Sequence, residues 1–134
     1  MTNLEIVKTR LYEKQASLVV MFENGKIEEF YNPRVQDIVS ILKENKNALK
    51  DAIIADKVIG KVAGSLLAVS EVKEIYADVI SEFAIPVLEA NNIKYSYKNK
   101  VEYIINNDKT GMCPMENKYK DEMDISKIFN EIIS

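Results

Sequence analysis

The 134-residue chain has no histidine, no tryptophan, a single cysteine, four glycines and three prolines. Without histidine there is no imidazole base, no Ser-His-Asp or Cys-His pair and no imidazole metal ligand. One cysteine forms no internal disulfide and builds no Cys-rich zinc site. A lone thiol suits a reducing compartment. Long apolar runs are missing too: Leu18 to Phe22 is the longest, far short of the roughly 20 residues that span a bilayer. Met1 to Glu5 lacks the basic and apolar regions of a signal peptide. These absences lead us to expect a cytoplasmic protein with no membrane partner. Positive charge is not in excess: 18 Lys and Arg against 21 Asp and Glu leave a net charge of −3, and the pI is near 5.1. A nucleic-acid partner, which selects for a basic face, is not expected.

Hydrophobic residues make up 47% and charged residues 29%, as in ordinary folded proteins. No Pro-, Gly- or Ser-rich linker divides the chain, and no repeat recurs. One domain over residues 1–134 follows, at roughly 150 residues per domain.

Leu4, Val7, Leu11 and Tyr12 predict an amphipathic helix over Asn3 to Glu13. Ala16 to Glu23 and Lys26 to Tyr31 read as a hairpin, with Asn24-Gly25 in a type I′ turn. Glu28 and Glu29 suit the second strand to a sheet edge. Asn32-Pro33 reads as the start of a helix with Asn32 as N-cap. Asp51 to Asp56 predicts a buried strand, Val58 to Val69 a helix and Glu71 to Tyr76 a strand. A helix is expected from about Ser81 to Asn92, with Pro86 near its start. Ile93 to Tyr97 follows as a strand, with Val101 to Ile105 extended and Asn106 to Gly111 a loop. Asp124 caps a last helix carrying Ile125, Ile128, Phe129 and Ile132. Strands alternating with helices after a hairpin imply a three-layer α/β/α domain with a mixed sheet of about five strands.

Two segments carry candidate chemistry. Asp56-Lys57-Val58-Ile59-Gly60-Lys61 lies where a central strand gives way to a helix, the place where open α/β sheets bind ligands. Asp56 would fix a hydroxyl or amine, and Lys57 and Lys61 would neutralise an anion. Alternatively Asp56 caps the helix, and Gly60, Gly64 and Ala68 form a small-residue stripe that lets the helix lie close to the sheet. The segment lacks the P-loop spacing. In Gly111-Met112-Cys113-Pro114-Met115-Glu116, Pro114 opens a short helix and places Cys113 at its N-cap, where the helix dipole favours thiolate. Glu116 then occupies the capping-box position. Cys113 would be a nucleophile and Glu116 a proton carrier, or both are structural: a small buried thiol and a cap. Tyr95 and Tyr97 share one strand face and either stack a base or pack.

This element order and the two motifs, Asp56 to Ala63 and Gly111 to Glu116, resemble domain-of-unknown-function family 1893 over nearly the whole chain. The resemblance implies a cytidine deaminase-like fold, with Asp56 to Ala63 where zinc deaminases carry their first ligand and catalytic glutamate. Those enzymes need a His or Cys in an H-x-E-type motif and two further cysteines. With no histidine and only Cys113, the resemblance implies the scaffold and its pocket without zinc or another cofactor. Three readings follow: a protein binding a small anionic or nucleotide-like ligand through Asp56, Lys57, Gly60 and Lys61; an enzyme using Cys113; and an oligomeric module with a vestigial pocket. Homo-oligomerisation is expected by analogy with deaminase-like domains.

Overall fold

Thr2 starts the first helix, α1 (Asn3–Glu13), by accepting the Glu5 N–H on Oγ1 at 3.1 Å. The computed structural model describes residues 1–134. The hairpin strands follow as β1 (Leu18–Met21) and β2 (Ile27–Phe30). Their connection is not the expected type I′ turn. Gly25 alone of the turn residues has a positive φ, +91°. Its N–H donates to the Phe22 carbonyl and the Phe22 N–H to that of Lys26, each at 2.8 Å. Asn24 does not take a positive φ, and its Oδ1 accepts the Lys26 N–H at 2.9 Å. The left-handed residue thus closes a longer loop.

The second helix, α2 (Gln36–Glu44), begins after Val35 and not at Asn32-Pro33. Asn32 is a donor instead of a cap: its backbone and side-chain N–H groups reach the Asp37 carboxylate at 2.9 and 2.8 Å. Arg34 turns the chain with φ +57°.

The strand β3 (Ile53–Ile59) continues past Asp56, because Val58 and Ile59 pair with Val79 and Ile80 of β4 (Glu74–Ser81). Helix α3 (Lys61–Val69) therefore starts later than expected, with Gly60 at its N-cap, and Asp56 caps no helix. Ser81 ends β4 and does not open α4 (Ile85–Ala90), whose first turn holds Pro86. The chain then forms β5 (Lys94–Val101), α5 (Pro114–Tyr119) and α6 (Ile125–Ile133). Asp124 caps α6 through the Ser126 and Lys127 N–H groups.

The five strands lie in the order β2-β1-β3-β4-β5. β1 is antiparallel to both neighbours, and β3, β4 and β5 run parallel. The acidic strand β2 is an edge and β3 is central, as its charges and the apolar Ile53-Ile54 pair lead one to expect. Alternating side chains feed two cores. Val19, Met21, Ile53, Ala55 and Tyr76 meet Val7 and Leu11 of α1 on one face. Leu18, Val20, Ile54, Ile75 and Ala77 face the core built with the other five helices. This is a three-layer α/β/α domain. Within the thicker layer α3 is buried almost all round, against α4, α5 and α6. Its small residues serve these neighbours. A Cβ on Gly64 would lie 3.3 Å from that of Ala84, so the glycine sets the approach of the α4 entrance and not, as the stripe suggested, of the sheet.

Candidate functional site

Beyond the carboxyl ends of β3 and β4, residues Pro33–Val35 and Tyr103–Asn107 fold over the sheet rim and leave two adjoining pockets. The smaller, about 60 Å³, is lined by Gly60, Lys61, Cys113, Met115 and Glu116 among others. The larger, about 440 Å³, is lined by Ser17, Arg34, Asp56, Lys57, Tyr103 and Asn107 among others. Arg34, Val58 and Ile104 border both. The six residues singled out from the sequence thus gather at one rim but divide between two spaces: Asp56 and Lys57 in the larger, the remaining four around the smaller.

Glu116 explains the smaller pocket. Cys113 is the N-cap of α5 and Pro114 opens its first turn, as the motif predicts. Yet the glutamate forms no capping box, because the Cys113 N–H already donates to the Ile104 carbonyl at 2.7 Å. Its side chain turns to another helix. Oε1 accepts the Lys61 N–H at 2.5 Å and the Ser81 hydroxyl at 3.2 Å, and Oε2 accepts the Ile104 N–H at 2.6 Å. Only 3% of the residue is exposed. Gly60, itself without a capping side chain, leaves an unpaired N–H at the start of α3 that a carboxylate suits electrostatically. A Cβ on Gly60 would lie 2.8 Å from both Glu116 Oε1 and Ile104 Cγ1. Gly60→Ala should therefore lower stability in urea unfolding by about 1–3 kcal/mol. Gly111→Ala, where nothing lies within 4 Å of the new Cβ, should change it little.

The Cys113 side chain is half-buried and caps no backbone N–H. Lys61 does not reach toward Asp56: its Nζ donates to the Lys120 carbonyl at 3.4 Å. Burial pushes its pKa down, and Asp121, Glu122 and Glu116 oppose that shift. No group of three His, Cys, Asp or Glu side chains comes together to hold a metal ion.

The larger cleft has a different chemistry. Asp56 is 2% exposed. Its Oδ1 accepts the Val58 N–H at 3.3 Å, and its buried Oδ2 has no partner. Burial pushes its pKa up to about 8; the Val58 and Lys57 N–H groups oppose this and Asp37 adds to it. Arg34 spans the rim, donating from Nε and Nη2 to Asn107 Oδ1 at 3.1 and 2.9 Å and from Nη2 to the Ile105 carbonyl at 2.9 Å. Neither Arg34 nor Lys57 forms an ion pair. Sequence reading missed Arg34, Tyr103 and Asn107. The one signal was compositional: Arg34 is one of only two arginines in a lysine-rich chain, and its planar fork suits bridging contacts.

No helix is long and apolar enough to cross a membrane. No curated protein matches the chain. Among solved structures, the crystal structure of a DUF1893 family protein (TM1506) from Thermotoga maritima, at 2.70 Å resolution, superposes with a TM-score of 0.86 and 24% identity over 97% of this chain and 87% of that one. At that identity the likeness establishes the fold. The family model described as "TM1506: Domain of unknown function (DUF1893)" matches residues 6–134, and the chain belongs to that family.

Proposed function

We propose that this protein binds a small anionic ligand, nucleotide-like in size and charge, in the cleft beyond β3 and β4. The scaffold, in this reading, resembles the cytidine deaminase-like fold with its zinc ligands gone. The observation that carries the proposal is the cleft of about 440 Å³ bordered by Arg34 and Lys57, two cations without carboxylate partners. Such a site attracts phosphate or carboxylate. Gly60 and Lys61, expected from the sequence to meet the same ligand, line the adjoining smaller pocket. A cytoplasmic homo-oligomer belongs to the same proposal.

Native mass spectrometry of freshly purified protein tests both parts. The expected result is a small anionic adduct on a multiple of the chain mass; a bare monomer that takes up no phosphate ester counts against both. Lys57→Ala should weaken phosphate-ester binding about tenfold in calorimetric titration, the scale of one charge-assisted hydrogen bond, with the melting temperature unchanged.

The enzyme reading has one observation in its favour: Cys113, Lys61 and Glu116 border the same small pocket. Two others weigh against it. Three donors already occupy the Glu116 oxygens, and about 60 Å³ is room for a few waters.

A further inference from the structure

The Asp56 side chain bends along β3 toward the cleft, where its Oδ1 accepts the N–H of Val58 two residues on. Its other oxygen is buried and unpartnered. Around it, β1 and β4 place Leu18 and Ala77 opposite Asp56. The charge acting on it is Asp37 from α2, and Arg34, Lys57 and Tyr103 line the same cleft. An ionised carboxylate in this setting would leave a buried charge without a hydrogen bond at Oδ2, an expensive arrangement. A protonated carboxyl leaves only an unused O–H donor there. That donor has no acceptor within the protein, and Asp56 lines the cleft.

We infer that Asp56 is a specificity-determining residue of the cleft, donating a hydrogen bond from Oδ2 to an uncharged acceptor on the ligand, a carbonyl oxygen or ring nitrogen, while the ligand's anionic group sits against Arg34 and Lys57. The inference rests on the anionic-ligand reading and narrows it. Arg34 and Lys57 disfavour an ammonium group as the occupant beside Asp56, and a second anion there would meet Asp37. The ligand class is therefore an anion carrying a neutral acceptor, such as a phosphorylated heterocycle or lactam. Burial holds the Asp56 pKa near 8, so the donor is present at neutral pH and lost in alkali.

Two probes that share a sugar phosphate separate the terms: cytidine 5′-monophosphate, with a ring carbonyl and ring nitrogen, and ribose 5-phosphate, with neither. In calorimetric titration at pH 7 the protein should bind the first at least about fivefold more tightly, the scale of one hydrogen bond. The preference should shrink at pH 9, where the ionised Asp56 has no O–H to donate. Asp56→Leu should erase the preference and leave ribose 5-phosphate binding intact. Asp56→Asn, which keeps an N–H donor, should retain the preference at both pH values. Equal binding of the two probes, or a preference that survives in Asp56→Leu, overturns the role of Asp56 and leaves the anion site standing. Binding of neither probe overturns both.

Discussion

Asp56→Asn should stabilise the protein at pH 8 and have little effect near pH 4. The carboxyl has an ordinary pKa of 3.8 and is pushed up to about 8 by burial in the folded chain. Below about pH 4 both states hold the proton and no penalty exists. As pH rises, the unfolded carboxyl ionises freely while the folded one keeps its proton. Stability then falls by about 1.4 kcal/mol per pH unit until the folded group also ionises. Asparagine does not titrate and escapes this loss. Urea unfolding at pH 5 and pH 8 should show the variant's advantage over the parent growing by about 4 kcal/mol between them. An advantage that does not change with pH would mean that Asp56 is charged in the folded protein.

Glu116→Ala should be the most damaging substitution at the rim. It removes the acceptor of the buried Lys61 and Ile104 N–H groups and of the Ser81 hydroxyl. Each orphaned buried donor costs about 1–3 kcal/mol, and the cavity adds to this, so a loss of at least about 3 kcal/mol is expected. Glu116→Gln keeps the shape and one acceptor oxygen, and should cost about 1–3 kcal/mol. Amide hydrogen exchange gives the local signature: the Lys61 and Ile104 N–H groups should lose protection first. Unchanged protection at both amides in Glu116→Gln would show that they do not depend on this carboxylate.

Local chemistry carried much of the fold. The apolar spacing of α1, the Asp124 cap and the Cys113-Pro114 helix start act within a few residues of themselves, and each stands where its neighbours predict. The acidic β2 edge and the central Ile53-Ile54 pair follow from burial alone. What local chemistry misses depends on pairing at a distance. Lys57 to Ile59 look like a helix entrance until β4 supplies parallel partners for Val58 and Ile59. The strand expected over Glu71 to Tyr76 stops too early, because pairing with β5 carries β4 through to Ser81. At the site, Asp56 and Lys57 were legible as candidates because they follow a buried run. The real partner of Glu116 was hidden, since a capping-box spacing looks the same whichever helix the glutamate serves. Arg34 gave no local sign that its guanidinium would reach Ile105 and Asn107 from the far side of the chain.

The anchor of α3 also has a place in time. Lys61 and Glu116 are 55 residues apart, and a ribosome adds about 5–20 residues per second. For several seconds the start of α3 exists before its acceptor has been made. The α1 layer, the hairpin and β3 can assemble in that interval, because their contacts lie within the part already synthesised. The rim cannot: Ile104, Cys113 and Glu116 arrive together near the end. During synthesis the sheet is therefore built first and the pocket last, and a nascent chain shows an open α3 entrance until the final helices close over it.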